Sequence, residues 1–361
     1  MPETALSQLP IFSARPTLRL DGQEDERVSL LLSSMVMDES EGGMSTLTLQ
    51  LDNWVATGDG GAEPAFGSGA RLRLGARLSV YAGDAAAPVE IFQGKVSALE
   101  IVCDHGQPPQ LVALAEDALG AARRARRSAV YTGMSPADVV QRIAGELGLT
   151  ANVSGLASPV ATWAQVNETD LGFLRRLLGR FDADLQVVGD RLQVAPRSEV
   201  QRGSIELAMY SQLSRVRITA DLAQQATSVS VAGWNPVDGR AVSANASAIT
   251  HAGPGSGRDG LSWASDALGA RPDHLGQPAV ATDDEARAVA EAALDQRARR
   301  FVRADGVAEG NARLRVGCHV RLSGVGSPFD NTYYVHRACH RFDLRHGYRV
   351  EFGAECAYLG N

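Results

Sequence analysis

The sequence has few cysteines, few aromatic residues and no long apolar run, and each scarcity excludes a class of protein. Four cysteines in 361 residues are too few for the disulfide framework of a secreted scaffold. The longest apolar run, residues 29–37, falls well short of the roughly 18 residues that a membrane-spanning helix needs. Residues 1–22 lack the basic and apolar parts of a signal peptide. We therefore expect a soluble protein made in a reducing cytoplasm.

Charge and composition narrow the class further. The net charge of −7 argues against a partner that is nucleic acid or an acidic membrane. A hydrophobic fraction of 44% with a charged fraction of 21% is typical of a globular protein, and the length predicts two or three domains. The 37 glycines and the 6% aromatic content favour turns and β structure.

Residues 16–115 read as a series of short strands, because apolar residues alternate between Gly, Asp and Pro turn signals every 8–15 residues. This spacing predicts a small barrel or sandwich. The pattern then becomes helical at "MSPADVVQRIAGELGL". Ser135 and Asp138 form a capping box, Pro136 occupies the first turn, and Gly148 ends the helix.

A second helix is predicted in "NETDLGFLRRLLGRF", with Asn167 as its N-cap and Leu171, Leu174, Leu178 and Phe181 on one face. Gly189-Asp190 then joins two strands of a tight hairpin. Strand patterns return at residues 214–234 and are followed by a low-complexity stretch to about residue 280. A long helix begins at Thr282, where Glu285 completes a second capping box.

The two β regions resemble each other. "RLRLGARLSVYAG" (71–83) aligns with "RLRVGCHVRLSGVG" (313–326), which matches Gly75 with Gly317. "FQGKV" (92–96) then corresponds to "FDNTYYV" (329–335), and "QLVALAED" to "YRVEFGAE". Three matches in the same order predict a mainly β fold with an α+β module and two related small β-barrels, the second discontinuous. The expected domains are 10–115 (first barrel), 116–205 (α+β module), 206–240 plus 305–358 (second barrel) and 241–304 (inserted loop and helix).

A Cys/His-rich stretch near the C-terminus raises the question of a metal site. The candidate ligands are Cys318, His319, His336, Cys339 and His340. Zinc sites use paired ligands two to five residues apart, whereas neighbours in a strand point to opposite faces. We therefore assign no metal, cofactor or catalytic residue. We expect Cys339 to point inward and His340 outward.

Two further motifs have structural interpretations. "GSGRDG" (255–260) has the glycine spacing of a dinucleotide-binding loop, but no strand–loop–helix unit surrounds it. The arginines of "AARRARRSA" (121–129) have no interleaved aromatics, which favours a solvated connector or an intersubunit salt-bridge patch. No Gly-x-Ser-x-Gly or His-Glu-x-x-His motif is present, and no enzyme is predicted.

The order of the motifs resembles the phage late control D family, the tail baseplate hub proteins of contractile phages. These are similar to the N-terminal part of the VgrG spikes of type VI secretion. The resemblance covers about residues 16–356 and is carried by the capped helix at 135–148, the last β region and a segment similar to the family's "NESDxxFLxRL" signature. In this chain that segment consists of Asn167, Glu168, Asp170, Phe173, Leu174 and Leu177.

The resemblance implies a homotrimer in which six barrels form a ring, with a sixfold tail tube above and a threefold spike below. It implies assembly in the bacterial cytoplasm, then a place in the baseplate of a phage tail, a tailocin or an extracellular injection system, beside other baseplate components. The sequence ends at Asn361, so we expect a separate spike protein, with Tyr358 and Leu359 near it. The alternatives are a VgrG-like spike component of type VI secretion and a metal-dependent hydrolase using the Cys/His ligands named above.

Overall fold

One sheet of 13 strands organises the molecule. The computed structural model describes residues 12–67, 69–84, 88–276 and 279–360. In the first third of the chain, apolar residues alternate with polar ones, so that one face of each strand is buried, as in residues 46–52. The elements are β1 (Phe12–Leu20), β2 (Gln23–Glu24), α1 (Glu26–Leu31), β3 (Leu32–Ser40), β4 (Thr46–Asp52), β5 (Val55–Ala56), β6 (Ala62–Glu63), β7 (Arg77–Asp84), β8 (Val89–Val102) and β9 (Gln110–Glu116).

The α+β module follows and has its own core of buried side chains around Phe173 and Trp163. Its elements are β10 (Arg126–Met134), α2 (Pro136–Glu146), β11 (Thr150–Val153), β12 (Ala161–Thr169), α3 (Asp170–Gly179), β13 (Ala183–Val188) and β14 (Arg191–Pro196). The capping box of α2 is confirmed, because the side chains of Ser135 and Asp138 bond each other's backbone N–H. The N-cap of α3 is Thr169 rather than Asn167, whose positive φ of 48° places it in a distorted part of β12.

The rest of the chain alternates between the large sheet and an inserted layer. Its elements are β15 (Ser204–Ala208), β16 (Leu213–Ala220), β17 (Ser228–Asn235), β18 (Arg240–Ala246), β19 (Arg258–Asp259), α4 (Gly260–Leu268), β20 (Pro272–Leu275), α5 (Asp283–Arg299), β21 (Val302–Glu309), β22 (His319–Ser323), β23 (Thr332–Asp343), β24 (Gly347–Cys356) and β25 (Tyr358–Leu359).

The inserted layer is larger than the sequence suggests. Strand β17 lies within the range assigned to the second barrel, but it pairs with β18 and β20 in a separate three-stranded sheet. Helix α5 packs on this sheet through a cluster that includes Val229, Val231 and Leu294. Thr282 is the N-cap of α5, as expected, and its hydroxyl accepts from the N–H of Glu285. Within the described residues, no helix is both long and apolar enough to cross a membrane.

The large sheet divides into two halves of the same strand order. The first half-sheet is β3-β4-β9-β8-β7-β1, and the second half-sheet is β16-β21-β24-β23-β22-β15. They join where β3 pairs with β23, and one continuous cluster of buried side chains runs through both. In the described part of the chain, no ladder links the outer strands of either half-sheet, so the closed barrels of the sequence prediction are not formed by pairing within one chain.

The two half-sheets share their irregularities as well as their order. A bulge in β8 falls between Val96 and Ala98, and the equivalent bulge in β23 falls between Val335 and Arg337. Strands β3 and β16 each have a bulge one residue after their first paired leucine. Bulges are specific features of a ladder, so their coincidence indicates that the halves are structural repeats.

Individual hydrogen bonds repeat too. Gly75 donates its N–H to the carbonyl of Val96, and Gly317 donates to the carbonyl of Val335, in both cases at a positive φ that suits glycine. At the bulges, the hydroxyl of Ser33 donates to the carbonyl of Gln50 at 2.9 Å, and the hydroxyl of Ser214 donates to that of Val307 at 2.8 Å. The match of Gly75 with Gly317 is thereby confirmed.

The last match of the sequence alignment was one residue out of register. It placed Asp117 opposite Glu355, whereas the ladders make Glu116 the equivalent of Glu355, since they pair with Lys95 and Tyr334, each one residue before the valine that precedes the bulge. Asp117 is then the equivalent of Cys356. A shift of one residue in a strand exchanges its faces, and periodicity alone did not detect it.

Candidate assembly surface

At least two strand edges of the large sheet lack a neighbouring strand among the described residues. One is the outer edge of β16, the last strand of the second half-sheet. Another is the edge of β8 beyond the end of β7, which pairs with β8 only as far as Lys95. Ile101 on this edge is 55% exposed. An uncovered edge presents unpaired N–H and C=O groups to which another chain can add a strand.

The exposed charges on these two edges have opposite signs. Arg215 and Arg217 project from β16, and Glu100 and Asp104 lie on or just after the end of β8. None of the four takes part in an ion pair within the described ranges. The two edges are therefore electrostatically complementary to each other.

A buried charged junction holds the module, the insert and both half-sheets together. The Arg197 guanidinium, 2% exposed, bonds Glu41 after β3 and lies 2.8 Å from Glu355 of β24. It also stacks over the ring of Tyr334 in β23. Arg299 at the end of α5 donates to Asp182 of the module at 2.5 Å. Buried charges require such pairing, so this junction fixes the relative positions of four parts of the chain.

A cavity of about 490 Å³ adjoins the junction and is lined by Glu41, Arg175, Asp182 and Arg300 among others. Burial raises the pKa of Glu41 to about 7, while the charge of Arg197 opposes this shift and those of Asp184 and Glu355 add to it. Carboxylates and guanidiniums alternate around the cavity and neutralise one another. The arrangement suits a structural joint, and it supplies no nucleophile with an adjacent base.

The Cys/His stretch does not converge on one point. Cys318 is buried in the core, whereas the ring of His319 lies 5.9 Å from that of Tyr334. His336 packs against Gly353 of the neighbouring strand. Among the described residues, no three His, Cys, Asp or Glu side chains are grouped closely enough to hold a metal ion.

The expected orientations in β23 were wrong. His340 is completely buried, on the face that carries Ala338 and Phe342 into the main core, and its Nδ1 lies 2.7 Å from the Tyr348 hydroxyl. Burial holds the pKa of His340 well below its usual range, and the charge of Arg315 adds to this shift. Cys339 lies on the opposite face and is also buried. That burial raises the pKa of its thiol to about 12, with Asp38 adding to the shift.

The glycine-rich loop 255–260 and the C-terminal strand form one contact. A side chain at Gly255 would collide with the Cys356 sulfur, and one at Gly257 would collide with the Leu359 carbonyl. The loop continues into β19, which pairs with β25, so that Arg258 lies opposite Leu359 and Asp259 opposite Tyr358. The glycines therefore serve close backbone packing, and the loop is followed by a short strand and α4 rather than by a βαβ unit.

The arginine-rich segment 121–129 lies at the entry to the α+β module. Arg123 pairs with Glu116, and Arg127 with Glu146 and Asp170. Arg126 donates to the carbonyl of Asn167 at 3.2 Å. These ion pairs all lie within one chain, and the intersubunit patch stays a prediction.

A family model and several solved structures match the chain. The model described as the Alg8 N-terminal domain matches residues 62–343, which is more than half of the sequence. The chain belongs to that family. A comparison with curated proteins finds no match.

This member of the Alg8 N-terminal domain family is also similar to several solved structures over almost its whole length. The prophage MuSo2 43 kDa tail protein from Shewanella oneidensis is 12% identical and has a TM-score of 0.67, and the match covers 94% of this chain and 97% of that one. A tail protein from Neisseria meningitidis is 12% identical with a TM-score of 0.63, and the coverage is 94% of this chain and 96% of that one.

An Escherichia coli protein described as a type VI secretion component similar to the T4 tail proteins gp27 and gp5 is 11% identical, with a TM-score of 0.59. The coverage is 95% of this chain and 78% of that one. The resemblance to phage tail proteins is thus confirmed for the fold, a mainly β architecture with few helices.

Sequence reasoning missed the charged junction. Arg197, Glu41, Asp182 and Arg299 lie in four separate segments, each in an ordinary polar context, and no local spacing links them. The sequence contains a weak indication of the uncovered edge at β16, because the polar and charged residues of "SRVRITAD" suit an edge strand. The same arginines also suit any solvated strand.

Proposed function

We propose that this protein is the baseplate hub of a contractile injection machine, where it adapts a sixfold tail tube to a threefold spike. The observation that carries the proposal is the duplicated half-sheet within a fold similar to phage tail proteins over 94% of the chain. A homotrimer of such chains presents six equivalent half-sheets on one side while keeping threefold symmetry on the other. Duplication is what a subunit needs to meet both symmetries.

The parts of the chain fit this role in distinct ways. The two half-sheets form the ring, with the first facing the tail tube, in a division close to 10–115 and 206–240 plus 305–358. The module 116–205 and the insert, extended to include β17, lie outside or beneath the ring. The charged junction supports this assignment, because it holds the module and insert rigidly against both half-sheets. The protein assembles in the bacterial cytoplasm and then joins the baseplate of the particle.

Electron microscopy of the purified protein tests the proposal directly. Class averages of the assembled protein should show a ring with three subunits and six similar lobes around a central opening. Averages that show only single chains, even when the tail tube and spike proteins are present, would contradict it.

The C-terminal strand β25 is the proposed spike-proximal surface. Tyr358 and Leu359 are both half-buried against β19, and so only part of each side chain is available to a partner. Leu359→Asp should weaken binding of the particle's spike protein in a pull-down while leaving the trimer intact. Leu344→Asp, at an exposed turn between β23 and β24, is the matched control.

A VgrG-like role in type VI secretion is the second candidate, supported by the likeness to the Escherichia coli type VI component. The same trimeric ring serves both candidates. Purification of the complete particle separates them, because a hub co-purifies with a sheath, a tube and a separate spike protein.

A further inference from the structure

The internal joint between the half-sheets is a strand pairing whose register the structure defines. Strand β3 runs antiparallel to the second half of β23, along residues 337–343. His340 lies opposite Met37, and Asp343 lies opposite Ser34. Strand β22 pairs with the same edge of β23, but only before the joint begins. Strand β23 therefore extends past its own half-sheet and pairs there with a strand of the other half-sheet.

The structural repeat gives each strand of this joint an equivalent that lacks such a partner. Strand β8 is the equivalent of β23 and likewise extends past β7, and β16 is the equivalent of β3. The core-facing residues of the joint are buried, whereas their equivalents are exposed or half-buried. His340 is 0% exposed and Ile101 is 55% exposed. Met37 is completely buried, and its equivalent Ile218 is only half-buried.

We propose that β16 of one copy pairs antiparallel with residues 98–104 of the next copy, in the register of the internal β3–β23 joint. This inference rests on the homotrimer of the proposed function. Carried over from the internal ladder, the register places Ile101 opposite Ile218 and Cys103 opposite Val216. Both edges belong to every copy, so the contact is head-to-tail, and a closed ring of three copies leaves neither edge open.

Charge selects this pairing between copies. In the same register, Asp104 lies directly opposite Arg215, where the internal joint has the neutral Ser34 opposite Asp343. Glu100 is a diagonal neighbour of Arg217, within reach of a long side chain. Opposite charges across a strand pair stabilise it, whereas like charges directly opposite destabilise it. The joint between copies is therefore marked by two charge pairs that the internal joint lacks.

The natural Cys103 makes the register testable by a single substitution. Cys103 is a free, exposed thiol, and the other three cysteines are buried. In Val216→Cys, the new thiol lies opposite Cys103 of the next copy, a separation that a disulfide can span. Mild oxidation with diamide should convert most of the protein to covalent dimers and trimers on a non-reducing gel. The double variant Val216→Cys/Cys103→Ser should remain monomeric on that gel.

A neighbouring cysteine provides the control for register. Arg217→Cys lies one residue along β16 with its side chain on the other face, so it should give few covalent multimers under the same oxidation. Equal crosslinking of Val216→Cys and Arg217→Cys, or none by Val216→Cys in a protein that native mass spectrometry shows to be trimeric, overturns the proposed pairing. The latter result leaves the hub proposal standing, whereas a monomeric mass counts against the hub itself.

A charge exchange tests the same joint without oxidation. Asp104→Arg and Arg215→Asp should each raise several-fold the protein concentration at which half of the trimer dissociates in sedimentation experiments. Combining them restores opposite charges in the same place, and the double variant should assemble nearly as well as the wild type. Additive weakening in the double variant would overturn the pairing of these two residues.

Discussion

The first and second half-sheets share a strand order but carry different side chains on it. Leu49 lies opposite Ala113 in the first, and the equivalent pair in the second is Gly306 opposite Phe352. The large residue therefore lies on β4 in the first half-sheet but on β24 in the second, and the small residue lies on the strand opposite. Strand order, bulges and the hydrogen bonds at the bulges are thus the same in both halves, whereas the packing of the side chains differs. Each half thus fills its part of the shared core with its own set of side chains.

Substitutions at the Gly306–Phe352 pair should have the largest effect on the free energy of unfolding. Phe352→Ala leaves a cavity in the core and should lower the free energy of unfolding by about 3–5 kcal/mol. Gly306→Leu alone should also destabilise the protein, because a side chain there collides with the Phe352 ring. Urea unfolding of the double variant, which recreates the first-half pair, should recover much of this loss. A double variant as unstable as the sum of the two would show that the halves are not interchangeable.

The equivalent glutamates Glu116 and Glu355 give the next largest contrast. Glu355 pairs with Arg197, whose side chain is 2% exposed, whereas Glu116 pairs with Arg123, whose side chain is 49% exposed. Arg197→Ala removes a buried guanidinium from Glu41 and Glu355, leaves Arg299 at 3.7 Å as the remaining ion-pair partner of Glu355, and should lower the free energy of unfolding by about 3–5 kcal/mol. Arg123→Ala should lower it by at most about 1 kcal/mol. Similar losses for both variants, measured by urea unfolding, would remove the distinction between the two sites.

Asp117 should give a pH effect that its equivalent position in the second half lacks. Burial raises the pKa of Asp117 to about 6, although its carboxylate accepts hydrogen bonds from the N–H groups of Ser45 and Leu119. Its equivalent, Cys356, has a pKa raised to about 12 and does not titrate in this range. Between about pH 4 and pH 6 the folded protein retains a proton on Asp117 that the unfolded chain has lost. Raising the pH through this window therefore lowers the stability.

Asp117→Asn removes this titration and keeps a side-chain oxygen that can accept in the same turn. The difference in unfolding free energy between the variant and the wild type should move in favour of the variant as the pH rises from 4 to 6, and then level off. Cys356→Ser is the control and should show no such change. A constant difference across the range for Asp117→Asn would contradict the assigned shift.

The smallest effects are expected at the matched bulges. Ser33→Ala and Ser214→Ala each remove one hydroxyl bond to a carbonyl across the ladder, at a cost of about 0.5–1.5 kcal/mol. Ser214 is exposed, so water replaces part of its bond and its loss should be the smaller. Chemical denaturation resolves differences of this size. A loss at one site only would mean that the two hydroxyls do not serve the same purpose.

Local chemistry was predictable from the sequence where a few neighbouring residues decide the outcome. The capping box at Ser135, the N-cap at Thr282 and the matched turn glycines Gly75 and Gly317 all depend on contacts within a few residues or on a required positive φ. The mainly β architecture with an α+β module was predictable for the same reason, because it follows from local periodicity.

The rest depended on contacts distant in the chain. In "RACHRFD" two arginines and an aspartate alternate with Ala338 and Phe342, so the alternation places His340 on the apolar face, and the general preferences of Cys and His for inside and outside led to the reverse assignment. The last part of the alignment was displaced by one position, because only the strand pairing in the ladders fixes which residues of β9 and β24 are equivalent. Arg197 meets its partners only in the folded chain, so no sequence spacing could have predicted the charged junction.

The native mass of the purified protein is the most direct test of the central claim, that duplicated half-sheets adapt a threefold assembly to sixfold symmetry. Native mass spectrometry should give three times the chain mass of 38.2 kDa. Reversing the charge of Asp104 or Arg215 should raise several-fold the protein concentration at which the trimer dissociates. A stable monomer that does not trimerise even in the presence of its spike partner would contradict the account.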